Sequence, residues 1–151
     1  SDVYKRQAGS HSAASTSDGE VMTWGLGSDG QLGHGDQQDR SRPAKLGREV
    51  FGGSAVMMVS CGGLHTMAVT EVARLFTFGY GNNGQLGHGD RSNRNVPVEV
   101  GGARFRDARI VYAAAGYIHS GVVTSEAEVI QPEEEEEREE RWRFTRVVDS
   151  I

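Results

Sequence analysis

The sequence predicts an all-β fold made of propeller blades, and three observations carry that prediction. First, Trp24–Asp36 returns as Phe78–Asp90 at an offset of 54, with nine of thirteen positions identical. Second, His11, His65 and His119 share that spacing, as do Arg40 with Arg94 and Pro43 with Pro97. Third, the stretches between the glycine-rich loops are short, apolar and β-branched. A period near 50 with about four short strands fits propeller blades rather than helical solenoids.

Each element follows in order. Asp18-Gly19 is a favoured two-residue hairpin turn, which pairs roughly His11–Ser17 with Glu20–Trp24. Val56–Ser60 is an apolar, β-branched run. Gly62-Gly63 interrupts it, His65–Thr70 resumes the strand pattern, and Leu75–Phe78 follows. Pro97–Val100 is a further short strand, and its proline suits an outer or edge position, where a missing amide does least harm.

The repeats cover residues 8–131, with one complete period, His11–Leu64, and most of a second, His65–Ile118. After His119 the strand pattern runs on as Ser120–Ile130, but Pro132-Glu133 stand where the next aromatic-glycine pair belongs. Such repeats bury their faces against neighbours and usually need three units or more. The expectation is therefore about two four-stranded blades with partial flanks, a fragment of a larger ring whose neighbouring blades are its first partners.

The two ends break the pattern. Lys5 and Gln7 align with Val59 and Cys61, so residues 1–7 lack the expected apolar strand and read as a junction or non-native segment. Residues 132–151 read as an acidic linker or a short helix. Pro132 suits a first helical turn, the glutamates its N-terminal end and the arginines its C-terminal end. Phe144, Val147, Val148 and Ile151 would share one helical face.

Composition narrows the function classes. Glycine supplies 21 of 151 residues, and ten of these sit in the loops Gly25–Gly35 and Gly79–Gly89. The net charge of -5 arises from Glu133–Glu140, while the rest of the chain is close to neutral. A balanced body carries no electrostatic footprint for nucleic acid, so direct contact with it is not expected. No apolar run approaches the ~18 residues of a membrane helix. A single cysteine, Cys61, excludes an internal disulfide and a four-thiolate zinc site. The expectation is an intracellular chain, cytoplasmic or nuclear.

The motifs that could carry chemistry read as structure. Gly25-Leu26-Gly27-Ser28-Asp29-Gly30 and Gly79-Tyr80-Gly81-Asn82-Asn83-Gly84 fit a dinucleotide string, but Gln-Leu-Gly-His-Gly-Asp follows each, and its glycines and aspartate break the chain where a phosphate-binding helix must start. His34-Gly35-Asp36 and His88-Gly89-Asp90 are too sparse for a metal site and suit bonding within a turn. His11, His65 and His119 each open a strand with no nucleophile beside them on the same face, which fits a satisfied, half-buried imidazole. Cys61 reads as a small buried hydrophobe, and Trp24 and Phe78 as core aromatics. Gln31-Leu32 and Gln85-Leu86 are expected to pin their loops to the blade. No catalytic, cofactor-binding or metal-ligating residue is expected.

These marks together resemble the regulator of chromosome condensation repeat family. The carriers are Cys61-Gly62-Gly63-Leu64-His65-Thr66, the pairs Trp24-Gly25 and Phe78-Gly79, Gly30-Gln31-Leu32-Gly33 and Gly84-Gln85-Leu86-Gly87, and the closing prolines Pro43 and Pro97. Gly116 and His119 begin a third copy. The resemblance implies a β-propeller, usually of seven blades, acting as a non-enzymatic scaffold for a protein partner. Its alternatives are guanine-nucleotide exchange on a small nuclear GTPase, as in the founding member, and substrate recruitment within a ubiquitin ligase. One branch senses light through a dense tryptophan cluster; this chain has only Trp24 and Trp142.

Overall fold

The computed structural model describes residues 4–8, 10–101, 105, 108–126 and 144–148. They form three antiparallel sheets that follow one another along the chain. Blade 1 is β1 (Tyr4–Ala8), β2 (His11–Ser15), β3 (Val21–Gly25) and β4 (Arg40–Leu46), paired in that order. A single 3₁₀ turn, Arg48–Phe51, leads to blade 2: β5 (Val56–Cys61), β6 (His65–Thr70), β7 (Leu75–Gly79) and β8 (Arg94–Glu99). The third sheet holds β9 (Ala108–Ala115), β10 (Ser120–Glu126) and β11 (Phe144–Val148), with β10 in the middle. Among the described residues no helix is long and apolar enough to cross a membrane.

The strands pair as a meander because each sequence neighbour lies one tight turn away. Apolar side chains on both sheet faces then fill the gaps between blades. Between blades 1 and 2 lie Ala13, Val21, Leu46, Phe51, Val56, Val59, Cys61, Ala68, Phe76 and Phe78. The Phe51 ring meets Phe76 edge-on, with centroids 5.5 Å apart. Between blade 2 and the third sheet lie Met67, Val69, Leu75, Val100, Ile110, Ala113 and Val122. Each blade is thus covered by its neighbour, as a repeat that cannot bury its own faces requires.

Three expectations from the sequence need correction. Tyr4–Ala8, which begins inside the segment 1–7 that lacks an apolar strand pattern, pairs with β2 over five register positions. A ladder is made by backbone amides and carbonyls, so it forms at a sheet edge without an apolar pattern. The tail does not form a helix over Phe144–Val148, because this stretch is strand β11, in register with Val122–Ser125 of β10. Its phenylalanine, threonine and valines are strand formers, and β10 has an open edge to receive them. The rest of the expected helix, 132–143 and 149–151, lies outside the described residues. Finally, the first hairpin loop has three residues, not two. Gly19 N–H donates to Thr16 O at 2.9 Å, and Thr16 N–H donates to Glu20 O at 2.9 Å. That is a turn closed by a left-handed residue, Gly19, at φ 77°.

The second hairpin repeats this geometry with an alanine. Ala73 N–H donates to Thr70 O, Thr70 N–H donates to Arg74 O, and Ala73 takes φ 62°. It is the sole non-glycine with positive φ among the described residues. An L-residue there costs about 1–2 kcal/mol. Both turns also pass a carbonyl to the next sheet: Val56 N–H donates to Gly19 O at 2.9 Å and Ile110 N–H to Ala73 O at 3.1 Å. Ala73→Gly is expected to stabilise the chain by about 1 kcal/mol in thermal or urea unfolding. Gly19→Ala is expected to destabilise it by more than the φ cost alone, since the new Cβ would sit 2.3 Å from the Ala55 Cβ. Equal and opposite effects at the two turns would contradict the role given to Ala55.

Candidate functional site

The recurring Gly-Gln-Leu-Gly loops join the third and fourth strands of each blade, and their polar groups are bonded in the same way twice. In blade 1 the Thr23 hydroxyl of β3 donates to Leu32 O at 2.7 Å, and His34 Nε2 lies 2.9 Å from the same hydroxyl. In blade 2 the Thr77 hydroxyl donates to Leu86 O at 2.6 Å, with His88 Nε2 at 2.9 Å. A hydroxyl has one proton. Since it goes to the carbonyl, the imidazole must be the donor to the oxygen. Gln31 Oε1 accepts from Asp29 N–H at 2.8 Å and Gln85 Oε1 from Asn83 N–H at 3.0 Å. Leu32 and Leu86 are buried beneath them.

The carbonyl of the same glutamine crosses to the neighbouring blade. Thr66 on β6 donates its hydroxyl to Gln31 O at 2.8 Å, and His11 Nε2 of β2 lies 2.8 Å from that hydroxyl. One interface later, Ser120 on β10 donates to Gln85 O at 2.9 Å, with His65 Nε2 at 2.8 Å. By the same proton count His11 and His65 are donors at Nε2 and carry no proton on Nδ1. Their Nδ1 atoms are buried with no partner among the described residues. Burial pushes both imidazoles down to about 4. His34 and His88 are lowered as well, first by burial and then by the positive charge of Arg40 or Arg94.

Glycine makes room for this relay. A Cβ on Gly62 would lie 2.3 Å from the His65 ring, and one on Gly116 would lie 2.4 Å from that of His119. A Cβ on Gly33 would lie 2.8 Å from the Phe78 ring, so the loop of blade 1 seats against the β7 aromatic of blade 2. The chain around Gly30 packs equally closely on Asn95 of β8, where Gly35 N–H donates to Asn95 O at 2.8 Å. Gly25 and Gly79, at φ 103° and 105°, end β3 and β7 where a Cβ would lie 2.6 Å from Ser10 O and Leu64 O. Gly84 and Gly87 repeat the turn of Gly30 and Gly33, with Gly87 N–H donating to Gly84 O at 3.1 Å. The string Gly25–Gly30 is followed by turns and not by a helix.

The loop ends are fixed locally. Asp36 accepts from Gln38 N–H and pairs with Arg40 at 2.9 Å; Asp90 accepts from Ser92 N–H and pairs with Arg94 at 2.7 Å. Asp39 Oδ1 and Asn93 Oδ1 accept from Gly27 N–H and Gly81 N–H, each at 2.9 Å. Among the described residues no group of three or more metal-ligating side chains converges. Cys61 is buried, and burial pushes its thiol up to about 12.

Identical residues meet different surroundings at the two ends. Phe78 is fully buried, whereas Trp24, expected to be a core aromatic like it, is half-buried because no described sheet lies against its face. Pro97 lies buried on edge strand β8 while Pro43 on β4 is exposed. His11 and His65 are fully buried, more than expected, but His119 is exposed with no partner among the described residues. The relay hydroxyls at positions 12, 66 and 120 were missed in the sequence. Their signal is a serine or threonine directly after each histidine at the 54-residue spacing.

This is a repeat unit whose recurring polar groups hold neighbouring sheets together, which defines a blade-forming protein. The regulator of chromosome condensation (RCC1) repeat model matches residues 18–69 and 73–123, and the chain belongs to that family. Each matched unit holds the outer two strands of one blade and the inner two of the next. The chain is 39% identical over 121 residues to the ultraviolet-B receptor UVR8 of Arabidopsis thaliana, covering 80% of this chain and 27% of that protein. It is 45% identical over 96 residues to the probable E3 ubiquitin-protein ligase HERC4 of Mus musculus, covering 63% of this chain and 9% of that protein. Among solved structures it superposes on Prp20p of Saccharomyces cerevisiae, described with its binding to Gsp1p and histones, at a TM-score of 0.69 and 19% identity, over 85% of this chain and 32% of Prp20p. The chain thus spans about a quarter or less of the curated relatives it matches.

The relay sets a pH dependence. His11 and His65 bind their proton at about 4 when folded, against 6.5 for a free imidazole, so the unfolded chain takes up protons first as pH falls. Their contribution to stability is full above pH ~6.5 and is lost progressively down to pH ~4. Urea midpoints across pH 7.5 to 4 are expected to fall, and to fall less steeply in His65→Gln. In the same assay Thr66→Val, which strands the Gln31 carbonyl and the His11 N–H, should cost about 3 kcal/mol, and Thr66→Ser under about 1 kcal/mol. Equal costs for valine and serine would contradict the relay.

Proposed function

We propose that this chain serves as a non-enzymatic protein-binding scaffold, one arc of a β-propeller. One observation supports the reading best: within the two glycine-rich loops the shared Gln-Leu pair is buried, and most of the positions that differ are exposed. Gln31, Leu32, Gln85 and Leu86 are buried. Ser28 against Asn82, Gln37 against Arg91, Gln38 against Ser92 and Asp39 against Asn93 face solvent on the loops of one propeller face. The hairpins at the opposite end of the strands differ too, Ser17-Asp18-Gly19 against Glu71-Val72-Ala73. A rigid frame with variable exposed loops is how propeller and other repeat scaffolds present a surface to partners.

The relatives support the same reading at the level of class. Prp20p is described as binding proteins, and HERC4 is a probable ligase far longer than this chain, for which an arc of blades is suited to recruiting a substrate. Exchange on a small GTPase rests on resemblance to the founding member and has no residue here that singles it out.

The test is capture of proteins by the immobilised chain, compared with a variant carrying Arg91→Glu and Gln37→Glu. The expected result is one or more partners retained by the parent chain and lost by the variant at an unchanged melting temperature. A GDP-release assay with a captured GTPase should show no acceleration by the chain; acceleration would replace the scaffold reading with exchange.

A further inference from the structure

The gap between blade 2 and the third sheet is not filled throughout. A cavity of about 510 Å³ opens at the hairpin end of the strands, with Leu75, Phe105 and Ile110 in its lining and Arg74, Glu99 and Arg109 around them. Ile110 N–H donates to Ala73 O at 3.1 Å, and this bond brings the flanking Arg74 and Arg109 to the same mouth. Both arginines are exposed, while Leu75 and Ile110 are buried. The cavity lies inside the array, between two sheets that the chain itself supplies.

The residues 54 positions earlier explain the opening. Between blades 1 and 2, the Arg48 guanidinium of the 3₁₀ turn donates to Asp18 O at the hairpin tip, and Phe51 is buried. Gly102 stands at the position of Arg48 and has no side chain to make that crossing. Phe105, the counterpart of Phe51, packs on the second core but is half-buried. The charges change as well. Glu20 pairs with Lys45 at 2.9 Å at the first interface, and their counterparts Arg74 and Glu99 pair in the reverse sense at 3.5 Å. Arg109 stands where Ala55 does, and its register partner Ser125 stands where Glu71 does. Among the described residues no carboxylate pairs with Arg109. The mouth is thereby positive over an apolar floor.

We infer that this cavity binds a short acidic peptide segment of a partner protein. A large apolar side chain of the peptide seats on Leu75, Phe105 and Ile110, and a neighbouring carboxylate lies between Arg74 and Arg109. The volume falls within the roughly 300–1,000 Å³ of ligand sites, and an apolar floor with a few placed charges is how such sites fix orientation. Charge complementarity sets the sign of the partner: Glu99 is answered by Arg74, which leaves Arg109 to take a carboxylate. The chain's own acidic run, Glu133–Glu140, supplies carboxylates but no apolar side chain, so it meets half of this chemistry. The inference goes beyond the scaffold reading and concerns the opposite end of the strands from the loops that carry Gln37 and Arg91.

The probe is the peptide fluorescein-Asp-Asp-Phe-Leu-Asp-Asp-amide, titrated with the full chain and read by fluorescence anisotropy. Saturable binding is expected, at least about fivefold tighter than for two control peptides. One control carries lysines in place of the aspartates, and the other carries serines in place of Phe-Leu. Arg109→Glu, at an exposed position, should weaken binding by about fivefold or more and turn the preference toward the lysine peptide, while Arg109→Lys keeps it. Where Arg109→Glu fails to fold by circular dichroism, Arg74→Glu takes its place. The Gln37→Glu, Arg91→Glu chain should bind the peptide as the parent does, so failure here and failure of the scaffold reading are told apart. No saturation up to about 1 mM would overturn the inference. So would equal affinity for the serine peptide, or affinity unchanged in the charge-reversed variant. Binding that appears only once Glu133–Glu137, Glu139 and Glu140 are changed to glutamine would make the chain's own acidic run the occupant and overturn it too.

Discussion

Where a glycine-rich loop leaves a sheet, its carbonyls lose their ladder partners, and a buried carbonyl must find another donor. Here the adjacent carbonyls of Gln31 and Leu32 are met by threonine hydroxyls from two different blades, Thr66 of blade 2 and Thr23 of blade 1. Each hydroxyl is in turn held by an imidazole, His11 or His34. One loop is thereby tied to its own sheet and to the next, and the second loop repeats the arrangement through Ser120 and Thr77. The tie fixes how one blade is seated on the next, because the apolar filling between them carries little directional information.

The relay also explains why so much of the repeat is glycine. An imidazole turned back toward its own strand's entry leaves no space for a Cβ at Gly62 or Gly116, and the seat of the Phe78 ring leaves none at Gly33. In these places the glycines provide clearance for a neighbour as well as backbone freedom. Equivalent positions behave differently where no described sheet lies against them. Trp24 and Pro43 are less buried than Phe78 and Pro97 although they hold equivalent positions. Burial in this fold is therefore a property of the interface between repeats, and single-blade reasoning overestimates it at the ends.

Periodicity made most of the fold legible. The repeat pattern located six of the eight strands of the two blades to within a few residues, and Pro97 lies on an outer strand as its position suggests. Strands without the repeat signature were not legible: Tyr4–Ala8 has Lys5 and Gln7 where its counterpart has Val59 and Cys61, and Phe144–Val148 sits beyond an acidic stretch that imitates a helix start. Both are recruited by an open edge, which is tertiary information. The histidines were recognised as structural, but their partners were not, because the hydroxyls lie one residue past a full period and pair across sheets. Asp18-Gly19 gave the right turn at the wrong length, since the left-handed residue closes a three-residue loop.

The account's central claim is that histidine and hydroxyl act as one unit across the blade interface. A double-mutant cycle on His11→Leu and Thr66→Val, followed by urea unfolding at pH 7.5, measures that directly. The predicted coupling is about 1–3 kcal/mol, with the double variant less unstable than the sum of the singles. Additive costs, with a coupling below about 0.5 kcal/mol, would contradict it.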